Sequence, residues 1–284
     1  MANRKDIRIR DPFVLTDKEN GCYYMYTSTD KVSAELSQFP LGVAAYKTYD
    51  LENFEDPVSV FDISSLGDFW ADRDVWAPEV HKYGDYYYLF VSLKSGERCR
   101  GTQIFRADSP LGKFLPISER PITPEDWESL DGTLYVENGT PYMVFCHEWV
   151  QIVDGTVCAL ELTKDLTAPV GEPFVLFAAS ENPDVTELVG SRGRHGFITD
   201  GAFLYHEGGK LKMIWSSFKD GRYAVFCAVS DGGIRGKWSH LPNLFDFDGG
   251  HPMVFEALDG KRKISLHSPN YGNLERAVFI DLDK

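Results

Sequence analysis

The sequence predicts an all-β fold, a five-bladed β-propeller, on three observations. One kind of segment recurs five times, aromatic and glycine residues are abundant, and helical periodicity is nearly absent. Each repeat joins a polar-to-apolar strand to a strongly apolar one across a turn. The first strands begin at Asp11-Pro12-Phe13, Ala77-Pro78-Glu79, Asp131-Gly132-Thr133, Asp200-Gly201-Ala202 and His251-Pro252-Met253, spaced 66, 54, 69 and 51 residues apart. The second strands, aligned on Tyr24, Tyr88, Tyr142, Lys212 and Lys263, are spaced 64, 54, 70 and 51 residues apart. Two independent rulers thus agree to about two residues, the signature of an array of like units.

Third strands follow at Gly42 to Tyr46, Thr102 to Arg106, Val157 to Glu161 and Tyr223 to Cys227, with Arg276 to Leu282 as the counterpart in the last unit. Pro57 to Phe61 and Pro173 to Phe177 read as short outer strands, since proline is tolerated at sheet edges. Ile7 to Ile9 is expected to pair with the last blade and close the ring. Val32 to Gln38 and Pro121 to Ser129 come nearest to a helix, and neither supports more than a turn or two. No linker-like stretch divides the chain, so residues 1–284 are expected to form one propeller domain.

The composition agrees. Of 284 residues, 19 are Phe, 14 Tyr, 6 Trp and 25 Gly, which suits many short strands joined by tight turns. A formal net charge of -14 sets the surface against phosphate backbones, so no nucleic-acid partner is expected. No apolar run is long enough to span a membrane, and no membrane partner is expected. Met1 to Asp11 is polar and lacks a signal-peptide core, and the five cysteines have no CxxC spacing. Reduced thiols in a cytoplasmic protein follow if this N-terminus is native; a removed leader would instead mean a secreted or periplasmic one.

Polar residues that open the inner strands crowd one mouth of a propeller. Here those places hold Asp11, Asp131 and Asp200, with Glu79 nearby and His251 opening the fifth strand. A lone Asp before Gly or Pro ordinarily makes a turn. Three at one phase of a repeat converge, and converging carboxylates oppose one another's ionisation. That suits a site with differently tuned acids better than a core. Phe13, Trp70, Trp76, Trp149 and Phe197 are candidates for a sugar-stacking wall, Trp76 and Trp149 foremost, while Trp215 and Trp238 read as packing. Arg10, Arg73, Arg192, Arg194 and His195 are candidate hydrogen-bond donors to hydroxyls. His267 follows the fifth apolar strand near the axis, where it could meet water or a metal; no second histidine stands at zinc spacing. Phosphate loops, dinucleotide fingerprints and HExxH are absent.

Taken together, Ile9-Arg10-Asp11-Pro12-Phe13, Trp76-Ala77-Pro78-Glu79-Val80, Leu130-Asp131-Gly132-Thr133-Leu134, Thr199-Asp200-Gly201-Ala202-Phe203 and Leu266-His267-Ser268-Pro269 resemble glycoside hydrolase family 43 over nearly the whole chain. The resemblance implies an inverting glycosidase, exo- or endo-acting, with an exo-acting enzyme that releases furanosyl or pentosyl residues from oligosaccharide or polysaccharide side chains favoured. An α-L-arabinofuranosidase is favoured, with β-galactofuranosidase and β-xylosidase next. It implies Asp11 as general base, Asp131 as the residue that orients the acid and tunes its pKa, and Asp200 as general acid. Arg10, Phe13, Trp76, Glu79, Trp149, Arg194, His195 and His267 would bind substrate. No cofactor is required for the chemistry, and a water-coordinated structural calcium near His267 is implied. The family usually has Glu-Gly-Pro where this chain has Asp200-Gly201-Ala202, so Glu148 stands as a substitute acid. The shorter acid also leaves room for an inactive carbohydrate-binding propeller. A fructan hydrolase would need an Asn-Asp-Pro nucleophile segment and a Glu-Cys acid segment, and neither is present. Inorganic phosphate dependence would mark a phosphorylase.

Overall fold

The computed structural model describes residues 1–30, 36–190 and 193–282. Arg192 and most of the Val32 to Gln38 segment lie outside them. Five antiparallel sheets form the blades of a β-propeller. The inner strands are Phe13–Asp17, Arg73–Tyr83, Ser129–Glu137, Asp200–Glu207 and Gly250–Glu256. Each touches the next around the axis, and the last touches the first. Each pairs with an apolar second strand, respectively Cys22–Ser28, Tyr86–Lys94, Thr140–His147, Lys210–Lys219 and Arg262–Ser268.

The second strands are buried along nearly their whole length. A strand in mid-blade is covered on both faces by neighbouring blades, so it reads as a continuous apolar run and not as an alternation. Large rings fill the spaces between blades. Trp215, fully buried, lies 5.3 Å from Phe177 of the preceding blade and 5.1 Å from Phe226 of its own. Third strands stand where the spacing placed them, at Gly42–Thr48, Gly101–Ala107, Thr156–Leu162, Arg222–Ser230 and Arg276–Asp281.

Ring closure departs from the expectation. Ile7 to Ile9 is not a strand; the N-terminal pairing is Ala2–Asn3 against Asn53–Phe54 of the first blade. Ile7 and Ile9 are instead buried as core residues. The contact with the last blade runs through single bonds, Ile9 N–H to Glu275 O at 3.2 Å and Arg4 Nη1 to Ala277 O at 3.0 Å. Hydrophobic burial of two isoleucines thus anchors this segment without a ladder. Among the described residues the one α-helical piece is a single turn, Trp149–Ile152. No helix among them is long and apolar enough to cross a membrane. All five cysteines are free thiols.

Candidate active site

At one end of four of the five inner strands the chain makes the same distortion. Pairing with the second strand slips by one residue between Trp76 and Glu79, Leu130 and Thr133, Asp200 and Phe203, and Gly250 and Met253. Each slip is a β-bulge, which re-aims side chains at a sheet end. One residue in each bulge is left-handed: Ala77 at φ 47°, Asp131 at 56°, Gly201 at 52° and His251 at 53°, with Asp11 at 51° as the first blade's counterpart. Blade four is therefore out of step with the sequence alignment by one residue. Gly201 occupies the place of Asp11 and Asp131, and Asp200 stands one position earlier, level with Trp76 and Leu130. Successive strand residues face opposite ways, so Asp200 reaches the axis from a different direction than the other two aspartates.

Left-handed backbone is unfavourable for residues with a Cβ and persists where its surroundings hold it. The preceding blade supplies that hold. Asp131 N–H donates to Ser92 Oγ and His251 N–H to Ser216 Oγ, each at 2.8 Å, and Asp11 N–H donates to His267 Nδ1 at 3.3 Å. Blade three carries Cys146 at the equivalent place, paired with Leu130. A thiol is a weak acceptor, and the Asp131 carboxylate replaces it, taking Gly201 N–H on Oδ2 at 3.0 Å. Asp131 thus serves the backbone as well as the cavity. An added Cβ at Gly201 would stand 2.9 Å from the His251 ring.

The three aspartates line one cavity of about 300 Å³ together with Arg10, Trp76, Tyr223 and His251. His251 Nδ1 lies between two of the carboxylates, 3.4 Å from Asp11 Oδ1 and 3.7 Å from Asp131 Oδ2. Tyr223 donates its hydroxyl to Asp200 Oδ2 at 3.0 Å. Arg10 Nη1 is held by Glu275 at 3.0 Å, and its Nε is 3.7 Å from Asp11 Oδ1. His267 Nδ1 is 3.2 Å from the same oxygen. Even so, among the described residues no donor meets Asp11 Oδ1 in hydrogen-bond geometry.

These surroundings split the acidities. Burial opposes charge on Asp11, but His251, His267 and Arg10 together hold its carboxyl well below the usual carboxylate range. Burial, followed by repulsion from Asp11, pushes Asp131 up. Burial and then repulsion from Asp131 push Asp200 up to about 7, against His251, the Tyr223 hydrogen bond and Arg10. One cavity therefore holds a carboxylate that stays ionised and a carboxyl that keeps its proton toward neutral pH.

Other residues named from the sequence lie elsewhere. Glu148 is buried in an ion pair with Arg100, at 2.7 Å from its Nε, and does not line the cavity. Phe13 and Glu79 sit deeper along the axis around His81: Phe13 meets its ring edge-on at 5.1 Å, and Glu79 Oε2 is 2.9 Å from its Nε2. Trp149 opens the one-turn helix and packs on Gly190 and Gly196. It thereby supports the small hairpin of Leu188–Val189 and His195–Gly196, on which Arg194 and His195 are exposed. Neither of those two lines the cavity. Trp70 and Arg73 line a separate groove, and Phe197 is half-buried and bonded to Val153. His267 is fully buried, with Nδ1 toward Asp11 and Nε2 3.2 Å from Asn270 Oδ1. Both ring nitrogens face protein, and among the described residues no three Asp, Glu, His or Cys side chains are grouped to hold a metal. The residues present do not fit an ion bound directly at His267.

The sequence reading missed Tyr223, Arg8 and Asp30 as cavity residues and did not place His251 among them. His251 had a signal, its shared phase with the aspartates. Arg8 had one too, since Arg8-Ile9-Arg10 alternates with period two. Tyr223 had none, because its contact with Asp200 joins two strands of one blade through the fold.

The sequence profile of glycosyl hydrolases family 43 matches residues 6–282. Among solved structures the chain is similar to an endo-arabinase from Bacteroides thetaiotaomicron VPI-5482, at 39% identity over 100% of this chain and 97% of that one, with a TM-score of 0.91. It is also similar to an endo-1,4-beta-xylanase from the same organism, at 21% identity over 99% and 96% of the two chains, TM-score 0.75. An alpha-L-arabinofuranosidase from Lactobacillus brevis matches at 14% identity over 97% and 90%, TM-score 0.75. The last two likenesses are of fold. Comparison with curated proteins found no match.

Proposed function

Since this chain belongs to glycosyl hydrolases family 43, we propose that it hydrolyses α-L-arabinofuranosyl bonds by a single displacement that inverts the anomeric centre. The observation that carries this reading is the split between Asp11, held ionised, and Asp200, raised to about 7, in one cavity. Paired carboxyl groups driven apart in acidity are what acid–base cleavage of a glycoside needs. Asp11 takes a proton from a water whose oxygen attacks the anomeric carbon. Asp200 gives its proton to the departing oxygen as the glycosidic bond breaks. Asp131 raises the proton affinity of Asp200 by like-charge repulsion. His251, between Asp11 and Asp131, steadies whichever carboxylate carries charge. Glu148 is set aside as the acid because Arg100 engages it away from the cavity. The shorter aspartate calls for a leaving oxygen seated close to Tyr223.

Sequence alone favoured release of terminal sugars. The 39% identical relative is an endo-arabinase, and its likeness supports cleavage within arabinan chains instead. Linear arabinan separates the two. Internal cleavage gives a rapid fall in viscosity and a ladder of oligosaccharides, whereas arabinose alone from the first minutes supports exo action. The anomer formed first, followed by NMR, tests inversion. Binding without turnover on arabinan, xylan and galactofuranosides would overturn the enzymatic reading in favour of a carbohydrate-binding propeller.

A further inference from the structure

A second concavity, of about 1110 Å³, lies on blade two and shares no lining residue with the catalytic cavity. Its walls come from the segment before the inner strand Arg73–Tyr83, the loop after the second strand Tyr86–Lys94, and the stretch following Leu115–Pro116. The first two segments lie at the mouth where the inner strands begin, the same end that carries the aspartates.

Phe69 and Trp70 form its apolar floor. They meet at 5.9 Å, and Phe69 rests on the buried Phe105 at 6.0 Å. The Trp70 indole N–H donates to Gln103 Oε1, and Gln103, itself fully buried, donates onward to Ser118 O at 2.6 Å. The indole is thus fixed by a buried amide while part of its surface faces the groove. A pinned aromatic ring is the receptor that the C–H faces of a sugar need. Polar rim groups supply the rest of a glycan site. Their charges argue against an anionic ligand: Arg73 is matched by Asp72 at 2.8 Å, Arg98 and Arg120 share Glu125 at 3.0 and 2.6 Å, and Asp68, Glu97 and Glu119 add negative charge.

Continuity with the catalytic cavity points the same way. Arg100 stacks at 3.8 Å on Trp76, a cavity wall, while Arg98, two residues before it, lines the groove. Trp70 and Trp76 are six residues apart in sequence, a chain distance of at most ~22 Å.

We infer that this groove binds a neutral polysaccharide segment, an arabinan stretch remote from the bond being cut. The inference rests on the arabinan reading of the catalytic cavity. Binding to linear arabinan is measured in an Asp11→Asn background, and KM is measured in the otherwise native chain for arabinan and for arabinotriose. Trp70→Ala should weaken polymer binding and raise the arabinan KM by roughly 3- to 10-fold, with the arabinotriose constants unchanged. Trp70→Phe should restore most of the loss. Glu97→Ala, on the rim, is the second probe if Trp70→Ala does not fold, and should lower polymer affinity alone. Unchanged arabinan binding in the folded variants overturns the groove as a site, as does an equal loss on arabinotriose. A parent enzyme that cuts neither substrate overturns the catalytic reading, and the groove inference with it.

Discussion

Replacing Tyr223 by Phe removes one oxygen and leaves the ring, which stacks on His267 at 5.7 Å and 23°. The lost group is the donor to Asp200 Oδ2 at 3.0 Å. That bond favours the carboxylate over the carboxylic acid, so losing it raises the Asp200 pKa above about 7. A hydrogen bond to a charged group contributes about 1.5–3 kcal/mol, and one pKa unit corresponds to about 1.36 kcal/mol. The expected rise is therefore about 1–2 units. As the proposed acid, Asp200 would act in its protonated form, so activity should fall as pH climbs through its pKa. The alkaline limb of kcat/KM should move to higher pH by that amount, with the acid limb in place because the proposed base, Asp11, would govern it. The assay is a pH profile on arabino-oligosaccharides, whose poor leaving group needs the proton. An alkaline limb that stays put refutes Asp200 as the acid, and one that moves down refutes the sign of the hydrogen bond's effect.

Asp11→Asn should cut turnover by on the order of 10²–10⁴-fold while circular dichroism and melting stay near the parent's, and near-parent turnover rejects it as the base. Asp131→Asn removes the charge that raises Asp200, so the alkaline limb should move to lower pH, and an unmoved limb means that the repulsion is not felt. Glu148→Gln should cost about 1–3 kcal/mol in chemical denaturation, since the buried Arg100 loses the nearer of its two charged partners, at 2.7 Å, and keeps Asp74 at 3.1 Å, yet keep the pH profile. A lost alkaline limb there would make Glu148 the acid.

The propeller was legible because its cause is local and repeated. Each second strand, such as Tyr87-Tyr88-Leu89-Phe90-Val91, is covered by blades on both sides, and five such apolar runs at near-equal spacing can be counted without knowing any contact. Asp11 and Asp131 were legible for the same reason, as polar residues opening strands at one phase. The one-residue displacement of Asp200 was not, because a spacing good to about two residues cannot register a bulge that turns a side chain to the other face. The places of Trp149 and Glu79 were not legible either: both flank strand ends, but one packs on glycines and the other pairs with His81.

What sequence by itself determined is the number of blades, the strands within them and the mouth at which the aspartates gather. These follow from burial patterns and turn chemistry, which act over a few residues. Tertiary structure alone decided which carboxyl keeps its proton. That depends on burial and on charges brought from separate blades: His251 from the fifth between Asp11 and Asp131, and Tyr223 of the fourth against Asp200. Electrostatic tuning acts through space over a few ångströms, and those distances exist only once the ring has closed.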